Sequence, residues 1–328
     1  MEHEEKEDLF ANGYKYQLDP EISKSFAKFM NSHAAVEKPK ADLQQIKKAG
    51  NQLYINMQNH LPLHTHIESK DFDMKAADHS NIRLRWYYAG KDTAKSSAVI
   101  FVHGGGRMFG SVELYDRAVA DYVHRSGVPF LSVEYGLAPE VYVKAQVEQI
   151  FDAILWLKKN ASELNVDVNR IAVMGDSGGG GLAAGAAILA RDRKIALAKQ
   201  ILIYPMIDHR TTILDENIEP FAFFGYHELG ALWQAILGPD PLSDYDLAIT
   251  SPAMLDNFEG LAPTYISVGN LDYFRNENLD YARKLAGAAV PIEFHLHPGA
   301  PHGFELFTPD APLSKRAIAD HVRAIKSI

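Results

Sequence analysis

Apolar residues along the chain gather into short, nearly unbroken runs, and the stretches between them carry helical spacing. SAVIFVHG, VPFLSVEY, RIAVMG, QILIYP, APTYISVG and PIEFHLHP are such runs, each closed by glycine, proline or polar residues. That composition suits strands buried on both faces. IRLRWYYAG differs: Ile82, Leu84 and Trp86 alternate with Arg83, Arg85 and Tyr87, which predicts an antiparallel or edge strand with two unlike faces. Helices are predicted between the runs at roughly 112–126, 144–164, 178–192 and 274–288, with a last one near 312–327. Strand and helix thus alternate, which predicts an α/β fold with a mostly parallel sheet covered on both sides. In such sheets reacting side chains stand beyond the C-terminal ends of strands.

Two regions depart from this rhythm. Residues 1–70 read mostly as helices: DPEISKSFAKFM starts at Asp19-Pro20 and repeats Ile22, Phe26 and Phe29 along one face, and ADLQQIKKAGNQLYINMQNH supplies a second helix. We expect an N-terminal helical arm over 1–70, packed on the main domain and contributing to a cap. The main domain is 71–328. Within it, 206–260 separates two strands by far more than an ordinary connection. With Phe221, Phe223, Phe224, Tyr226 and Trp233 it reads as an excursion, about 208–250, that forms helices and the rest of the cap.

Composition narrows the class. The 328 residues hold 33 Lys+Arg against 42 Asp+Glu, a net charge of −9, which disfavours a nucleic-acid partner. Cysteine is absent, so thiol catalysis, disulfides and cysteine-ligated metals are excluded. MEHEEKEDLF shows no basic segment followed by an apolar stretch, and no run of 18 apolar residues occurs. A cytoplasmic protein without stable membrane insertion is the expectation.

The chemistry concentrates at glycines. Gly175-Asp176-Ser177-Gly178-Gly179 matches G-x-S-x-G between a strand at Ile171–Met174 and a helix from Leu182 onward. That setting lifts a serine hydroxyl above the sheet as a nucleophile. Gly178 to Gly181 would also suit an anion loop at a helix start, but the phosphate-loop lysine and the G-x-G-x-x-G dinucleotide fingerprint are both missing. Earlier, Val99 to Val102 lead into His103-Gly104-Gly105-Gly106. Bare backbone N–H groups after a buried strand can stabilise the oxyanion of acyl transfer. Gly104, Gly105 and Gly178 are the expected donors, with Gly106 orienting the loop and His103 shaping it.

A serine needs a base and an orienting acid. His302 in HPGAPHGFELF follows the last strand, and Asp272 follows TYISVGN. The order serine, acid, histidine agrees with this assignment. Asp208 competes for the acid, and Glu277 reads as structural. His295 and His297 share a strand face near His302, and His64 and His66 form a second pair. Neither set has HExxH or comparable spacing, so both are expected to be surface or satisfied histidines. No metal is expected. Trp86, Tyr87 and Tyr88 could stack on bases, but strand packing explains them more simply.

Together HGGG at 103–106, YGLAPE at 135–140, GDSGGGG at 175–181, Asp272 in VGNLDYFRNE and HGF at 302–304 resemble the hormone-sensitive-lipase-like family of α/β-hydrolase esterases. The resemblance spans roughly 75–328. It implies an eight-stranded core with a helical cap, a triad of Ser177, Asp272 and His302, and hydrolysis of short- to medium-chain acyl esters through an acyl-enzyme. It also implies no cofactor, and homodimers occur among such proteins. The chain departs from the pattern at Gly178, where alanine is usual, at Gly136, at Asn276, and at Arg107, which follows the glycine strip where an apolar residue is common. Arg107, Phe221, Phe223 and Phe224 are the candidate substrate-binding residues, and Arg107 would favour an anionic ester or else make a salt bridge to the core. The alternatives are a non-catalytic ligand-binding or receptor-like protein on the same fold, and an amidase or lactonase using the same triad.

Overall fold

The computed structural model describes residues 15–25, 42–90, 95–213, 215–222 and 224–328. Eight strands form one sheet: β1 (Glu68–Lys75), β2 (Asn81–Tyr88), β3 (Ser96–Val102), β4 (Phe130–Val133), β5 (Val166–Asp176), β6 (Lys199–Ile203), β7 (Thr264–Gly269) and β8 (Ile292–His297). Their spatial order is β1-β2-β4-β3-β5-β6-β7-β8. β2 runs antiparallel to β1 and β4, and all pairs from β4 to β8 are parallel. The helices are α1 (Leu43–His60), α2 (Asp116–Ser126), α3 (Lys144–Asn160), α4 (Ser177–Asp192), α5 (Tyr226–Leu237), α6 (Asp244–Thr250), α7 (Arg275–Gly287), α8 (Phe304–Phe307) and α9 (Pro312–Lys326).

The apolar runs dictate the layering. β3, β4, β6 and β7 are buried along nearly their whole length, so helices must cover both faces. One apolar cluster joins α3, α4 and α7 to one face of the sheet, and a second joins α1, α2, α5 and the end of α9 to the other. α4 lies at the centre and is buried on every side from Ser177 to Ala190, which its glycines and alanines permit. Local signals set several helix ends. Asp42 caps α1 by accepting from the Gln44 N–H at 2.9 Å, and α2 stops at Gly127, which holds φ 72°.

β1 was not predicted, because ESKDFDMK alternates only at Phe72 and Met74 and is exposed along most of its length. Its register against β2 sets Asp71 opposite Arg85, and Arg85 Nε donates to Asp71 Oδ1 at 2.6 Å. An opposite-charge cross-strand pair thus supports an edge strand whose apolar burial is confined to Phe72 and Met74. The alternation of β2 has the expected cause: Trp86 and Tyr87 are buried in opposite core clusters, which leaves no stacking platform for bases. Phe26 and Phe29 lie outside the described residues. Residues 20–25 are helical, and Ile22 is buried against Leu271 and Phe304. Among the described residues no helix is long and apolar enough to cross a membrane.

Candidate active site

Four loops meet above the C-terminal ends of β3, β5, β7 and β8. At the end of β5 the chain turns so tightly that Ser177 adopts φ 52°, a left-handed conformation that costs energy for a residue with a side chain. Glycine is required on both sides. A Cβ on Gly175 would stand 2.4 Å from Gly179 O, and one on Gly179 would stand 2.1 Å from Val102 O. The turn therefore presses directly on the end of β3.

The three residues of the expected triad form one hydrogen-bonded chain. His302 Nε2 lies 3.0 Å from Ser177 Oγ, and His302 Nδ1 lies 2.7 Å from Asp272 Oδ2. Asp272 is fully buried, and its Oδ1 accepts from the Phe274 N–H at 2.8 Å. The imidazole is fixed by aromatic rings: Tyr273 stacks on it at 5.1 Å, and Tyr204 and Phe274 meet it edge-on at 4.6 and 5.3 Å. Hydrogen bonds lace the two supporting loops together. Leu271 N donates to Ala300 O at 3.0 Å, and Asn270 Oδ1 accepts from Gly299 N at 2.7 Å.

Asp208, the competing acid, is bound instead by Arg210 at 2.7 Å. Glu277 is buried and accepts from the N–H groups of Ile207 and Asp208 at 2.7 and 3.2 Å, so it holds the loop after β6. His103 is buried flat against Tyr135 at 4.4 Å, and burial pulls its pKa down. His297 binds Ser267 Oγ at 3.0 Å, and His295 binds Glu293 Oε1 at 2.6 Å.

The glycine strip changes one expectation. The Gly104 N–H points into the protein and donates to Tyr115 Oη at 3.2 Å, and that hydroxyl donates in turn to Asp176 Oδ2 at 2.6 Å. Gly104 is therefore turned away from the serine. Gly105 and Gly106, with φ of 112° and 55°, line the cavity beside Ser177. Gly178 packs directly on them: a Cβ there would meet Gly106 N at 2.9 Å. Its N–H lies in the first turn of α4, where no intrahelical acceptor exists. Gly105, Gly106 and Gly178 thus meet beside Ser177 from two separate turns.

The cavity over Ser177 has a volume of about 50 Å³. Cap residues Leu53, Tyr54 and Met57 of α1 face Phe224, Leu229 and Leu232 of the excursion across it. Phe224 is thus at the cavity, whereas Phe223 lies outside the described residues. Phe221 is not at the cavity. It is buried with Leu18, Ile22 and Phe304, because the helical turn at 20–25 covers it.

Arg107 also stands elsewhere. Its side chain is fully buried, and its guanidinium donates to Gln146 Oε1 at 2.9 Å and to Thr250 O at 2.8 Å. Burial lowers its pKa to about 9. It is neither a substrate contact nor half of a salt bridge. It ties the glycine strip to α3 and α6, because its φ of 62° turns the side chain under the loop.

Sequence reasoning did not single out Tyr115, Tyr204, Tyr273 or the acid Asp176. Asp176 is buried beside the nucleophile, and desolvation raises its pKa to about 6. Glu305 is likewise raised to about 7 by burial and accepts from Tyr204 Oη at 2.5 Å. Only the adjacency of Asp176 to Ser177 was a signal in the sequence. The tyrosines come from distant segments and carry no spacing cue.

A family model for the alpha/beta hydrolase fold matches residues 99–306. Esterase LipI of Mycobacterium tuberculosis is 27% identical over 263 residues, covering 78% of this chain and 81% of that protein. Carboxylesterase NlhH of the same species is 31% identical over 251 residues, covering 75% and 77%. Among solved structures, a bacterial heroin esterase superposes with a TM-score of 0.83 at 29% identity, covering 94% of this chain and 97% of that one.

Proposed function

The chain belongs to the alpha/beta hydrolase family, and from that premise we propose that Ser177, His302 and Asp272 are the nucleophile, base and orienting acid of a serine carboxylesterase. The single observation that carries the assignment is the unbroken chain Asp272–His302–Ser177, at 2.7 and 3.0 Å, on the floor of an apolar cavity. Ester hydrolysis through a covalent acyl-enzyme also accords with the relatives named as esterases.

His302 Nε2 takes the Ser177 proton while Oγ attacks the ester carbonyl. Asp272 holds the Nδ1–H tautomer and stabilises the imidazolium without taking the proton. The N–H groups of Gly105, Gly106 and Gly178 receive the carbonyl oxygen as it becomes negative. The imidazolium then protonates the leaving alkoxide, and the acyl group stays on Ser177. Water, deprotonated by the same imidazole, attacks the acyl carbon. Ser177 leaves with the proton returned through His302, and the carboxylic acid is released.

The cavity favours neutral esters with short- to medium-chain acyl groups. It is small, its walls are mostly aliphatic and aromatic, and among the described residues no lysine or arginine lines it. The test is hydrolysis of p-nitrophenyl acetate, butyrate, octanoate and palmitate by wild type and S177A, with fluorophosphonate labelling of both. Butyrate is expected to exceed palmitate, and S177A to lose turnover and labelling together. Equal turnover in the two proteins would remove the nucleophile assignment, and a palmitate optimum would overturn the chain-length reading.

A further inference from the structure

The segment 61–67, LPLHTHI, links cap helix α1 to edge strand β1 and passes over helix α2. It is anchored at its start by Arg117 Nη1, which donates to Gln58 O at 3.1 Å and Leu61 O at 3.3 Å. A turn follows, closed by Ile67 N donating to His64 O at 3.1 Å. This turn brings His64 and His66 onto His124, in the last turn of α2.

The three imidazoles converge. His66 Nε2 and His124 Nδ1 are 3.1 Å apart, and the His64 ring stacks on His124 with centroids 4.2 Å apart. One ring nitrogen from each residue lies within 4.8 Å of the other two. A buried carboxylate completes the group. Asp121, one turn before His124, accepts from His64 Nε2 at 2.8 Å and from Arg125 Nε at 2.6 Å. Among the described residues no other set of three metal-ligating side chains comes so close together. None of these four residues lines the active-site cavity.

We propose that His64, His66 and His124 bind one divalent transition metal of the zinc type, with Asp121 as the carboxylate that orients His64 or fills the fourth position. Imidazole nitrogens suit zinc, copper and nickel rather than magnesium or calcium. Zinc–nitrogen bonds of about 2.0–2.1 Å in a tetrahedron place neighbouring nitrogens about 3.4 Å apart. The His66–His124 pair already stands near that spacing, and His66 and His124 are exposed, so small side-chain rotations close the rest. A carboxylate behind a ligating imidazole is a recurrent arrangement that fixes its ring and raises its basicity. The bound ion would clip the chain leaving α1, whose Leu53, Tyr54 and Met57 wall the cavity, onto the core. Its role is structural.

The test uses the full chain without an affinity tag, stripped with EDTA and titrated with zinc chloride by calorimetry at about pH 7.5. One ion per chain is expected, with a melting temperature raised by about 4 °C at saturating zinc. H66A and H124A are each expected to weaken binding at least tenfold, and D121N by about tenfold, as for an outer carboxylate partner. H295A serves as a histidine control and should bind as wild type does. Butyrate ester turnover should be unchanged in H66A and H124A. An absence of saturable binding up to about 100 µM zinc, far above the range of protein zinc sites, overturns the proposal. So does an H124A isotherm identical to that of the wild type, or zinc binding that is lost in H302A but not in H66A.

Discussion

Replacing Asp176 by asparagine should remove a distinct step from the pH dependence of stability. Asp176 is buried beside Ser177. Its Oδ2 accepts from Tyr115, and its Oδ1 meets no donor among the described residues. Desolvation raises its pKa from 3.8 to about 6. The folded protein therefore holds this proton more tightly than the unfolded chain does. The contribution to stability is whole below pH 3.8 and is lost as the pH rises through about 6. At about 1.4 kcal/mol per pH unit, the loss is roughly 3 kcal/mol.

D176N cannot ionise, and its side-chain oxygen can still accept from Tyr115. Urea unfolding of wild type and D176N between about pH 4 and pH 8 measures the effect, together with the smaller change in Glu305, whose carboxyl is raised in part by the Asp176 charge. The variant should gain roughly 2 kcal/mol relative to wild type between about pH 4 and pH 6.5 and almost nothing further above. Any constant cost of packing the amide cancels in this comparison. Two stability curves that stay parallel across the interval would refute the reasoning, since Asp176 would then titrate alike folded and unfolded.

D272N should fold with a melting temperature close to that of wild type but lose about 10⁴-fold in kcat, because the amide presents the wrong partner to His302 Nδ1; near-normal turnover on p-nitrophenyl butyrate would place the acid elsewhere. R107M should leave the Thr250 carbonyl without its buried donor and cost about 2–4 kcal/mol in urea unfolding. Its kcat/KM ratio between anionic and neutral butyrate esters should stay within about twofold of wild type, and a selective loss of the anionic ester would return Arg107 to the pocket. L232A should open the cavity wall and raise the octanoate-to-butyrate ratio of kcat/KM by about tenfold; an unchanged ratio would mean that the acyl chain lies along another wall.

How much of this was legible in the sequence depended on the range of the forces involved. The strands β3 to β7 announced themselves because burial on both faces demands unbroken apolar runs; β8 reads as such a run too, but it lies at the other edge of the sheet and is only half-buried, so its polar Glu293 and His295 are tolerated. β1 did not, because its pairing rests on backbone bonds and on charges such as Asp71 against Arg85. G-x-S-x-G and HGGG were legible because tight turns admit few residues besides glycine. Which glycines would face the serine was not, since the identical N–H groups of Gly104 and Gly105 are separated only by Tyr115. Phe221 and Arg107 read as pocket residues from their neighbours in the chain, yet one is covered by residues near the N-terminus and the other is turned inward by its own backbone. His124 gave no hint of joining His64 and His66, because it lies nearly sixty residues away on a helix.

The sequence alone determined the layered α/β architecture, the identity of the serine turn, and the order of serine, acid and histidine. Each follows from local constraints: side-chain burial along a strand, glycine at a sharp turn, and loops at strand ends. Only the tertiary structure decided which glycines line the cavity beside Ser177, how small that cavity is, and which side chains wall it. Those properties depend on contacts between segments far apart in the chain, and no local pattern encodes the distance between them.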